Sequence, residues 1–238
     1  MDDIKELQRM IDESNNIVFF SGAGVSTDSG IKDFRSPDGL YNMKYKYPPE
    51  FMLSRDCFSS MPDEFYKFYK EYLNCLDVEP NVTHRYLKKL EDKNKLLGII
   101  TQNIDGLHTK AGNKKVYEIH GTVYKNHCMN CNKEYDGEYV FNSKGIPKCS
   151  CGGIIKPDVV LYGEMLPERA YNESLKAIST TDMLIVAGTS LTVYPASGMV
   201  NLFNGKYLVI INKDKTTLDT RANLVINRNL KEVFEKLK

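Results

Sequence analysis

Apolar side chains follow two spacings along the chain, and the alternation of these spacings predicts the architecture. The first fifteen residues place apolar side chains at helical spacing, and a continuous apolar run at residues 17–20 follows them. Similar runs at residues 97–100, 183–187 and 207–211 predict buried strands. Polar-apolar patterns predict helices at residues 63–76, 81–93, 167–179 and 230–238. Because continuous apolar strands are typical of parallel sheets covered on both faces, the pattern predicts an α/β fold with a doubly wound parallel sheet.

Four of the six cysteines fall in one short window. Two close pairs with 17 residues between them are formed by Cys128 and Cys131 and by Cys149 and Cys151. This spacing predicts one Zn²⁺ ion held by four thiolates, because tetrahedral zinc takes sulfur ligands from two tight turns. Four thiolates leave no open position for substrate or water, so the zinc is expected to be structural.

The second cysteine pair is tighter than the usual spacing, and two glycines follow it. We expect Gly152 and Gly153 to supply the unusual backbone angles of this turn. His127 adjoins the first pair but is not expected to be a metal ligand, since four thiolates already complete the coordination of zinc. Two disulfides are the alternative reading of the four cysteines, and iron would bind the same sulfurs.

These segments divide the chain into a large and a small domain. The predicted large domain comprises residues 1–34, 77–119 and 154–238. Residues 35–76 form a helical insert that includes an aperiodic loop at residues 37–51, which can close over a site. Residues 120–153 form the zinc-binding module, and the insert and this module together make the smaller domain.

Composition excludes several classes of protein. Hydrophobic residues make up 42% and charged residues 26% of the 238 positions, as in ordinary folded chains. Thirty-two Lys and Arg against 31 Asp and Glu give a net charge of +1, so no nucleic-acid partner is expected. No apolar run approaches the roughly 20 residues of a membrane span, and the start of the sequence lacks a leader pattern. We therefore expect a cytoplasmic protein without a membrane partner, and the balanced charge fits a monomer.

A glycine-rich segment, called here the glycine turn (residues 22–35), follows the first predicted strand and is expected to open into a helix. Its glycines let the backbone approach phosphate oxygens, and Arg35 can add a charge-assisted contact. The sequence departs from the usual Gly-x-Gly-x-x-Gly motif of dinucleotide-binding proteins. Thr27 stands at the position of the third glycine, and no acidic residue follows about 20 positions later. This departure disfavours a nicotinamide-dependent dehydrogenase.

Polar side chains follow the other predicted strands. Gln102, Asn103 and Asp105 follow one strand, His120 follows a third segment, and residues 188–190 follow a fourth. Ligands of open α/β sheets bind outside the carboxyl ends of the strands, so these side chains are expected to converge on the glycine turn.

The combined motifs resemble those of the sirtuins, the NAD-dependent protein lysine deacylases. The resemblance spans nearly the whole chain and rests on the four zinc cysteines and on residues 22–35, 101–108, 120–121, 156–164 and 188–196. It implies a Rossmann-like large domain, a small domain made of a zinc ribbon and a helical insert, and NAD⁺ as co-substrate.

The resemblance also implies roles for individual residues. His120 matches the catalytic base, and Asn103 and Asp105 match the pocket for nicotinamide, where Asp105 accepts from the carboxamide. Residues matching the NAD⁺ site are Gly22, Ala23, Gly24, Thr27, Asp33, Phe34, Arg35, Gln102, Asn103, Ile104, Asp105, His120, Gly188, Thr189, Ser190, Asn212, Asn229 and Leu230.

The chemistry of the family agrees with a histidine base. A ribose hydroxyl that must react near neutral pH needs a base with a pKa in that range, which imidazole provides. His84 lies inside a predicted helix and is interpreted as structural, and His108 lies one turn beyond the ligand-facing residues of its motif. His120 is therefore the expected base, with Asn103 as the second catalytic residue.

By the same resemblance, an acetylated peptide adds as a strand between residues 159–164 and residues 190–194. The matching substrate-binding residues are Val160, Leu161, Tyr162, Gly163 and Val193. Family members that prefer succinyl groups carry a Tyr-x-x-Arg pair, whereas this chain has Tyr66 and Tyr69 at those positions. Without the arginine that neutralises an acyl carboxylate, acetyl or other neutral acyl groups are expected, and compensation by Lys67 or Lys70 is the alternative.

The sequence thus predicts an NAD-dependent protein lysine deacetylase that produces nicotinamide, O-acetyl-ADP-ribose and free lysine from acetylated proteins or peptides. Two alternatives share the same NAD site. One is a protein mono-ADP-ribosyltransferase, and the other is a non-catalytic module that binds NAD or ADP-ribose.

Overall fold

A computed structural model describes residues 2–238 of the chain. A six-stranded parallel sheet forms the centre of the larger part of the molecule. Met1, with which the predicted large domain begins, lies outside the described residues. The strands are β1 (Ile17–Ser21), β2 (Leu96–Thr101), β3 (Val116–Glu118), β4 (Gly121–Cys128), β5 (Glu134–Asp136), β6 (Ile155–Val159), β7 (Met183–Ala187), β8 (Tyr207–Ile211) and β9 (Leu224–Ile226). The helices are α1 (Asp3–Glu13), α2 (Pro49–Met52), α3 (Arg55–Ser60), α4 (Pro62–Tyr72), α5 (Val82–Asp92), α6 (Leu107–Lys110), α7 (Gly137–Asn142), α8 (Glu168–Thr180) and α9 (Leu230–Phe234).

The order of the large sheet is β3-β2-β1-β7-β8-β9, and every neighbouring pair in it is parallel. Side chains of β1 alternate between two apolar cores, with Phe19 on one face and Phe20 on the other. Burial on both faces explains the continuous apolar runs of the sequence. The predicted α/β fold with a doubly wound parallel sheet is confirmed, and the strand order reverses between β1 and β7, where such sheets bind ligands.

A second, antiparallel sheet of order β5-β4-β6 forms the centre of the smaller part. Helices α2, α3, α4 and α7 supply aromatic side chains to its core, among them Phe65, Tyr69 and Phe141. Strand β6 pairs with β4 in this sheet, so we propose that the large domain resumes after β6 rather than at residue 154. The remaining predicted domain boundaries stay a prediction.

Several helices differ in extent from the sequence-based predictions. Helix α4 ends at Tyr72 rather than at residue 76, because Oδ1 of Asn74 accepts a hydrogen bond from the amide of Leu76 at 3.3 Å and forms a local turn. Helix α9 ends at Phe234 instead of residue 238. The glycine turn does not open into an α-helix but forms two successive 3₁₀ turns.

Helix α8, with 13 residues, is the longest helix of the described chain. Between residues 2 and 238, none of the helices has both the length and the apolar character required to cross a bilayer.

Candidate active site

One large cavity opens at the carboxyl edge of the parallel sheet, between this sheet and the smaller part of the molecule. Its volume is about 1090 Å³, and we call it the cleft. Every residue for which the sequence predicted a role in cofactor or substrate binding lines the cleft. These residues are Gly22, Ala23, Gly24, Thr27, Asp33, Phe34, Arg35, Gln102, Asn103, Ile104, Asp105, His120, Val160, Leu161, Tyr162, Gly163, Gly188, Thr189, Ser190, Val193, Asn212, Asn229 and Leu230. Their individual roles stay predictions.

The glycine turn touches the end of β7 closely enough to exclude side chains. The amide of Gly24 donates to the carbonyl of Gly188 at 2.9 Å, and a Cβ on Gly24 would lie 2.8 Å from the Cα of Gly188. Such a distance is shorter than any relaxed carbon contact, so only glycine fits at position 24. Gly22, Ala23, Gly24 and Gly188, which carry little or no side chain, all line the cleft, and such a lining suits a phosphate-bearing ligand.

Three buried polar side chains form a hydrogen-bonded cluster in the cleft, called here the polar cluster (Ser26, Asn103 and Asp105). Oγ of Ser26 donates to Oδ2 of Asp105 at 2.6 Å and accepts from Nδ2 of Asn103 at 3.1 Å. Oδ1 of Asp105 accepts from the amide of Leu107 at 2.9 Å. Burial raises the pKa of Asp105, and these hydrogen bonds partly offset that effect.

The sequence pattern alone does not indicate a role for Ser26. It stands inside the glycine turn between the predicted ligands Gly24 and Thr27, but a serine in a loop has no distinctive spacing. Its importance depends on Asn103 and Asp105, which lie about 80 residues away in the chain and meet it only in the fold. Ser26 therefore fixes how Asn103 and Asp105 face the cleft.

The position of His120 is set by the end of β2. Nδ1 of His120 lies 3.0 Å from the carbonyl oxygen of Gln102, which can only accept a hydrogen bond. Nδ1 therefore carries the proton, and Nε2 carries the free electron pair. Burial lowers the pKa of His120, and the hydrogen bond to Gln102 partly offsets this, so the ring is neutral at pH 7.

Gln102 is also hydrogen-bonded to Thr189, which follows β7 on the other side of the strand reversal. Nε2 of Gln102 donates to Oγ1 of Thr189 at 3.0 Å, and Oγ1 of Thr189 accepts from the amide of Leu191 at 3.2 Å. These bonds join the end of β2 to the loop after β7 across the end of β1. The predicted convergence of the strand ends on the glycine turn is therefore observed.

Residues 160–164, called here the substrate edge, form the wall of the cleft on the side of the small sheet. The amide of Val160 donates to the carbonyl of His120 at 2.9 Å. The amide of Tyr162 donates to the carbonyl of Leu53 at 2.9 Å, and its carbonyl accepts from the amide of Arg55 at 3.0 Å. The substrate edge is thus held between the expected base and the start of α3.

A tyrosine from the aperiodic loop reaches across to this edge. The hydroxyl groups of Tyr41 and Tyr162 are hydrogen-bonded, and the ring of Tyr41 also lies 5.3 Å from the guanidinium of Arg35. Desolvation and the contact with Tyr162 raise the pKa of Tyr41. Residues 37–51 therefore lie over the cleft, as the sequence suggested, although they contain a 3₁₀ turn at Leu40–Asn42 and the start of α2.

The two other histidines with candidate roles lie behind the cleft and do not line it. His84 is fully buried in the first turn of α5, where its Nδ1 accepts from the amide of Asn81 at 3.2 Å. His108 is buried against Ser21, with 3.1 Å between Nε2 and Oγ. Burial lowers the pKa of His84 to about 4 and that of His108 well below its usual range. The structural interpretation of His84 fits this environment.

The two tyrosines that replace the Tyr-x-x-Arg pair belong to the core of the smaller part. The hydroxyl of Tyr66 donates to the carbonyl of Ile155, and the ring of Tyr69 stacks on Phe141 with 5.2 Å between centroids. Neither tyrosine lines the cleft, and both are buried. No positive charge is offered to an acyl carboxylate from these positions, and the expected preference for neutral acyl groups stays a prediction.

The four clustered cysteines form a compact group between β4 and β6. The sulfurs of Cys128, Cys131, Cys149 and Cys151 lie within 4.8 Å of one another, and three of the distances between them are 3.4, 3.5 and 3.6 Å. Tetrahedral zinc with bonds of about 2.3 Å requires sulfurs about 3.8 Å apart, so the group fits this ion. The cysteines are not joined as disulfides.

The glycines of the metal site act in two different ways. Gly152 has φ +85°, as the prediction of an unusual backbone angle required. The same prediction is wrong for Gly153, whose φ is not positive. Glycine is required there for a steric reason, because a Cβ would lie 2.7 Å from the sulfur of Cys128. His127 pairs with Asp158 through Nδ1 and is not part of the sulfur group, as predicted.

Comparisons with known proteins agree with the motifs. The model of the Sir2 family matches residues 22–195. A protein of Clostridium acetobutylicum described as "NAD-dependent protein deacetylase" is 52% identical over 99% of this chain and 98% of its own length. A protein of Clostridium perfringens with the same description is 51% identical over 100% of this chain and 99% of its own length.

Solved structures show the same similarity. A Sir2 variant with a deacetylated p53 peptide and 3′-O-acetyl ADP ribose is 40% identical, with a TM-score of 0.90 over 98% of this chain and 96% of that chain. A complex of Sir2 with a p53 peptide and NAD⁺ is 39% identical, with a TM-score of 0.89 and the same coverage. The parallel sheet, the cleft at its carboxyl edge and the sulfur group therefore belong to a known architecture, and this chain is a member of the Sir2 family, the sirtuins.

Proposed function

We propose that this protein removes the acetyl group from acetyl-lysine in proteins or peptides and transfers it to the ADP-ribose part of NAD⁺. The reaction consumes one water molecule, and its products are free lysine, nicotinamide and O-acetyl-ADP-ribose. The observation that carries the proposal is the neutral imidazole of His120, held with Nε2 free in a cleft that also contains the glycine turn and the polar cluster. The names of the similar proteins and the contents of their complexes support the same activity.

NAD⁺ supplies a leaving group that departs from its ribose as neutral nicotinamide. An amide oxygen is a weak nucleophile, so the acetyl-lysine oxygen must be held in line with the ribose carbon that it attacks. In our proposal Asn103 and Asp105 hold the carboxamide of nicotinamide, and Ser26 keeps both side chains in place. The glycine turn and Arg35 hold the phosphates.

His120 then acts on the ribose. After the acetyl oxygen has bonded to the ribose carbon, a ribose hydroxyl must lose its proton to attack the acyl carbon. In our proposal Nε2 of His120 accepts this proton, because Nδ1 is already committed to the carbonyl of Gln102. The same carbonyl stabilises the charged ring that results.

The peptide substrate adds as a strand to the substrate edge, opposite the loop that carries Val193. Among residues 2–238, the carbonyl of Val160 and both the amide and the carbonyl of Gly163 have no hydrogen-bond partner. Backbone groups that are free at the edge of a cleft pair readily with an extended chain. Because this pairing uses the main chain, the protein should discriminate only weakly between peptides of different sequence.

The test is mass spectrometry of an acetyl-lysine peptide incubated with the protein, with and without NAD⁺. We expect loss of the acetyl group only with NAD⁺, and one O-acetyl-ADP-ribose for each lysine released. The His120→Ala variant should lose activity by about a hundredfold or more. His127→Ala is the matched control and should retain activity, since His127 pairs with Asp158 and does not line the cleft.

Other outcomes would identify the alternatives. Consumption of NAD⁺ with covalent label on an acceptor protein would mean ADP-ribosyl transfer, and binding without consumption would mean a non-catalytic module. A succinyl-lysine peptide in the same assay should react more slowly than the acetyl peptide. Faster reaction of the succinyl peptide would contradict the expected acyl preference.

We also propose that the protein acts in the cytoplasm as a monomer, with protein substrates and without nucleic-acid or membrane partners. The net charge of +1 supports the absence of a nucleic-acid partner. The sulfur group supports one structural Zn²⁺ ion, held by Cys128, Cys131, Cys149 and Cys151.

A further inference from the structure

A partly buried ion pair joins the last residue of the substrate edge to β6. Nζ of Lys156, in β6, lies 3.2 Å from Oε2 of Glu164, and the two side chains are 12% and 23% exposed. The other lysine-carboxylate and arginine-carboxylate pairs between residues 2 and 238 include at least one side chain exposed by more than a quarter. A pair withdrawn from water in this way has a defined geometry that an exposed pair lacks.

Glu164 closes the turn that forms the substrate edge. Its Oε2 accepts a hydrogen bond from the amide of Leu161 at 2.9 Å, and its own amide donates to the carbonyl of Leu161 at 2.9 Å. Both peptide groups of Leu161 are therefore satisfied from Glu164. The carbonyl of Val160 and the amide and carbonyl of Gly163, on either side of this pairing, have no partner among residues 2–238.

Lys156 anchors this turn to the small sheet. Besides Glu164, its ammonium donates to the carbonyls of Pro157 at 3.1 Å and Val159 at 3.2 Å. An ammonium group has three donors, and all three are used here. The side chain thus joins β6 to the substrate edge at the point where the chain leaves the small sheet.

The position of this anchor links it to the catalytic centre. The amide of Val160, between the Lys156 contacts and the turn, donates to the carbonyl of His120 at 2.9 Å. A shift of the turn would therefore change the spacing between the free backbone groups of the substrate edge and the expected base. Such a shift would weaken binding of an added strand, because every main-chain hydrogen bond depends on the same register.

We propose that Lys156 and Glu164 are positioning residues, which hold the substrate edge in the conformation that binds the acyl-lysine peptide. This inference rests on the proposed function for the identity of the ligand. Neither residue is expected to touch the reacting atoms.

The kinetic test uses graded variants of the two side chains. Lys156→Met and Glu164→Met remove the ion pair, and each should raise KM for the acetyl peptide by about tenfold while kcat and KM for NAD⁺ change by less than about twofold. Lys156→Arg and Glu164→Gln keep a donor and an acceptor, respectively, and should restore most of the peptide affinity. The double Met variant should cost no more than one single variant, because the two residues act as a unit.

Hydrogen exchange provides a readout that does not depend on turnover. In the ligand-free protein, the hydrogen-bonded amides of residues 160–162 and 164 should exchange about tenfold faster in Lys156→Met than in the wild type, while amides of β1 and β7 stay protected. Arg169→Gln is the matched control, since Arg169 forms an exposed pair with Glu173 on α8 and is 90% exposed. This variant should leave both exchange and kinetics unchanged.

The two proposals fail in different ways. Unchanged exchange and unchanged peptide KM in Lys156→Met and Glu164→Met would overturn the positioning role. A loss confined to kcat, or equal losses for peptide and NAD⁺, would also overturn it, since these patterns indicate damage to the whole site. If the wild type does not deacetylate but exchange responds as expected, the positioning of the edge stands and the proposed function fails.

Discussion

At the scale of single residues, one backbone carbonyl decides what His120 can do. The carbonyl of Gln102 accepts from Nδ1, so the proton of the neutral ring is fixed on the nitrogen that faces the protein. Burial disfavours the charged ring and lowers its pKa, whereas the hydrogen bond to the carbonyl favours it. The larger effect is burial, so the base is kept in its neutral form.

The pH dependence of deacetylation should report this balance. Because the base must be neutral and its pKa is lowered from 6.5, activity governed by His120 should be constant above pH 7. Below the lowered pKa, kcat/KM should fall by about tenfold per pH unit. The measurement is kcat/KM for the acetyl peptide from pH 5 to 8, with His120→Ala as control. A midpoint above pH 7 would contradict the assigned cause.

The residues of the site were predictable to different degrees. His120, Asn103 and Asp105 follow predicted strands, so the general rule for ligands of parallel sheets places them together. Ser26 was missed because its role depends on a hydrogen bond to Asp105 across 79 positions of the chain. Lys156 and Glu164 were not predicted as a pair: they are the first and last residues of the segment 156–164, and its spacing does not indicate that its two ends meet across a turn.

At the scale of elements, burial patterns predicted the centres of helices and strands better than their ends. Strands β1, β7 and β8 coincide with the apolar runs, because each is buried along its whole length. The end of α4 depends on the amide oxygen of Asn74, a local alternative that hydrophobic spacing does not record. The glycine turn became two 3₁₀ turns because it packs against Gly188 rather than continuing away from the sheet.

The small sheet depends on its sulfur group. Cys128 ends β4, and the amide of Cys149 donates to the carbonyl of Gly153 at 2.8 Å in a tight turn before β6. Cys128 and Cys149 also belong to the apolar core of the smaller part. Without a cation the four cysteines would take up protons and nothing would join their sulfurs, so a bound Zn²⁺ would hold these turns together.

Removal of zinc should therefore disorder the small sheet before the large one. After chelation, hydrogen exchange should lose protection in β4 to β6, while β1, β7 and β8 retain it. Cys131→Ser should have the same effect, and elemental analysis should find less than one zinc per chain. Cys57→Ala is the control, because Cys57 lies outside the sulfur group and should leave the zinc content unchanged. If the amides of β4 to β6 kept their full protection from exchange after zinc removal, the small sheet would not depend on the metal.

At the scale of the whole molecule, the cleft lies where the parallel sheet meets the smaller part. The parallel sheet has one apolar core on each face, and the smaller part has a third core rich in aromatic rings. The sequence predicted the first two from periodicity. The third was harder to predict because it joins the helical insert to β4 and β6 over long separations, and no local pattern specifies that packing.

Two buried histidines make the stability of the whole fold sensitive to acid. His84 and His108 pack with 4.7 Å between ring centroids, and both are neutral in the fold, since burial lowers the pKa of His84 to about 4 and that of His108 well below its usual range. In the unfolded chain they bind protons near pH 6.5. The free energy of unfolding should therefore be highest above pH 6.5 and fall between pH 6.5 and 4, by about 1.4 kcal/mol per pH unit for each histidine.

Urea unfolding at pH 7.5, 6.0 and 5.0 measures this slope. His108→Gln should reduce it, because glutamine can keep the hydrogen bond to Ser21 without binding a proton. Glu118 acts in the opposite direction: burial raises its pKa to about 7, so its protonation stabilises the fold as the pH falls. Glu118→Gln should therefore steepen the loss of stability in acid. An unchanged slope in His108→Gln would mean that other groups control the acid sensitivity of the protein.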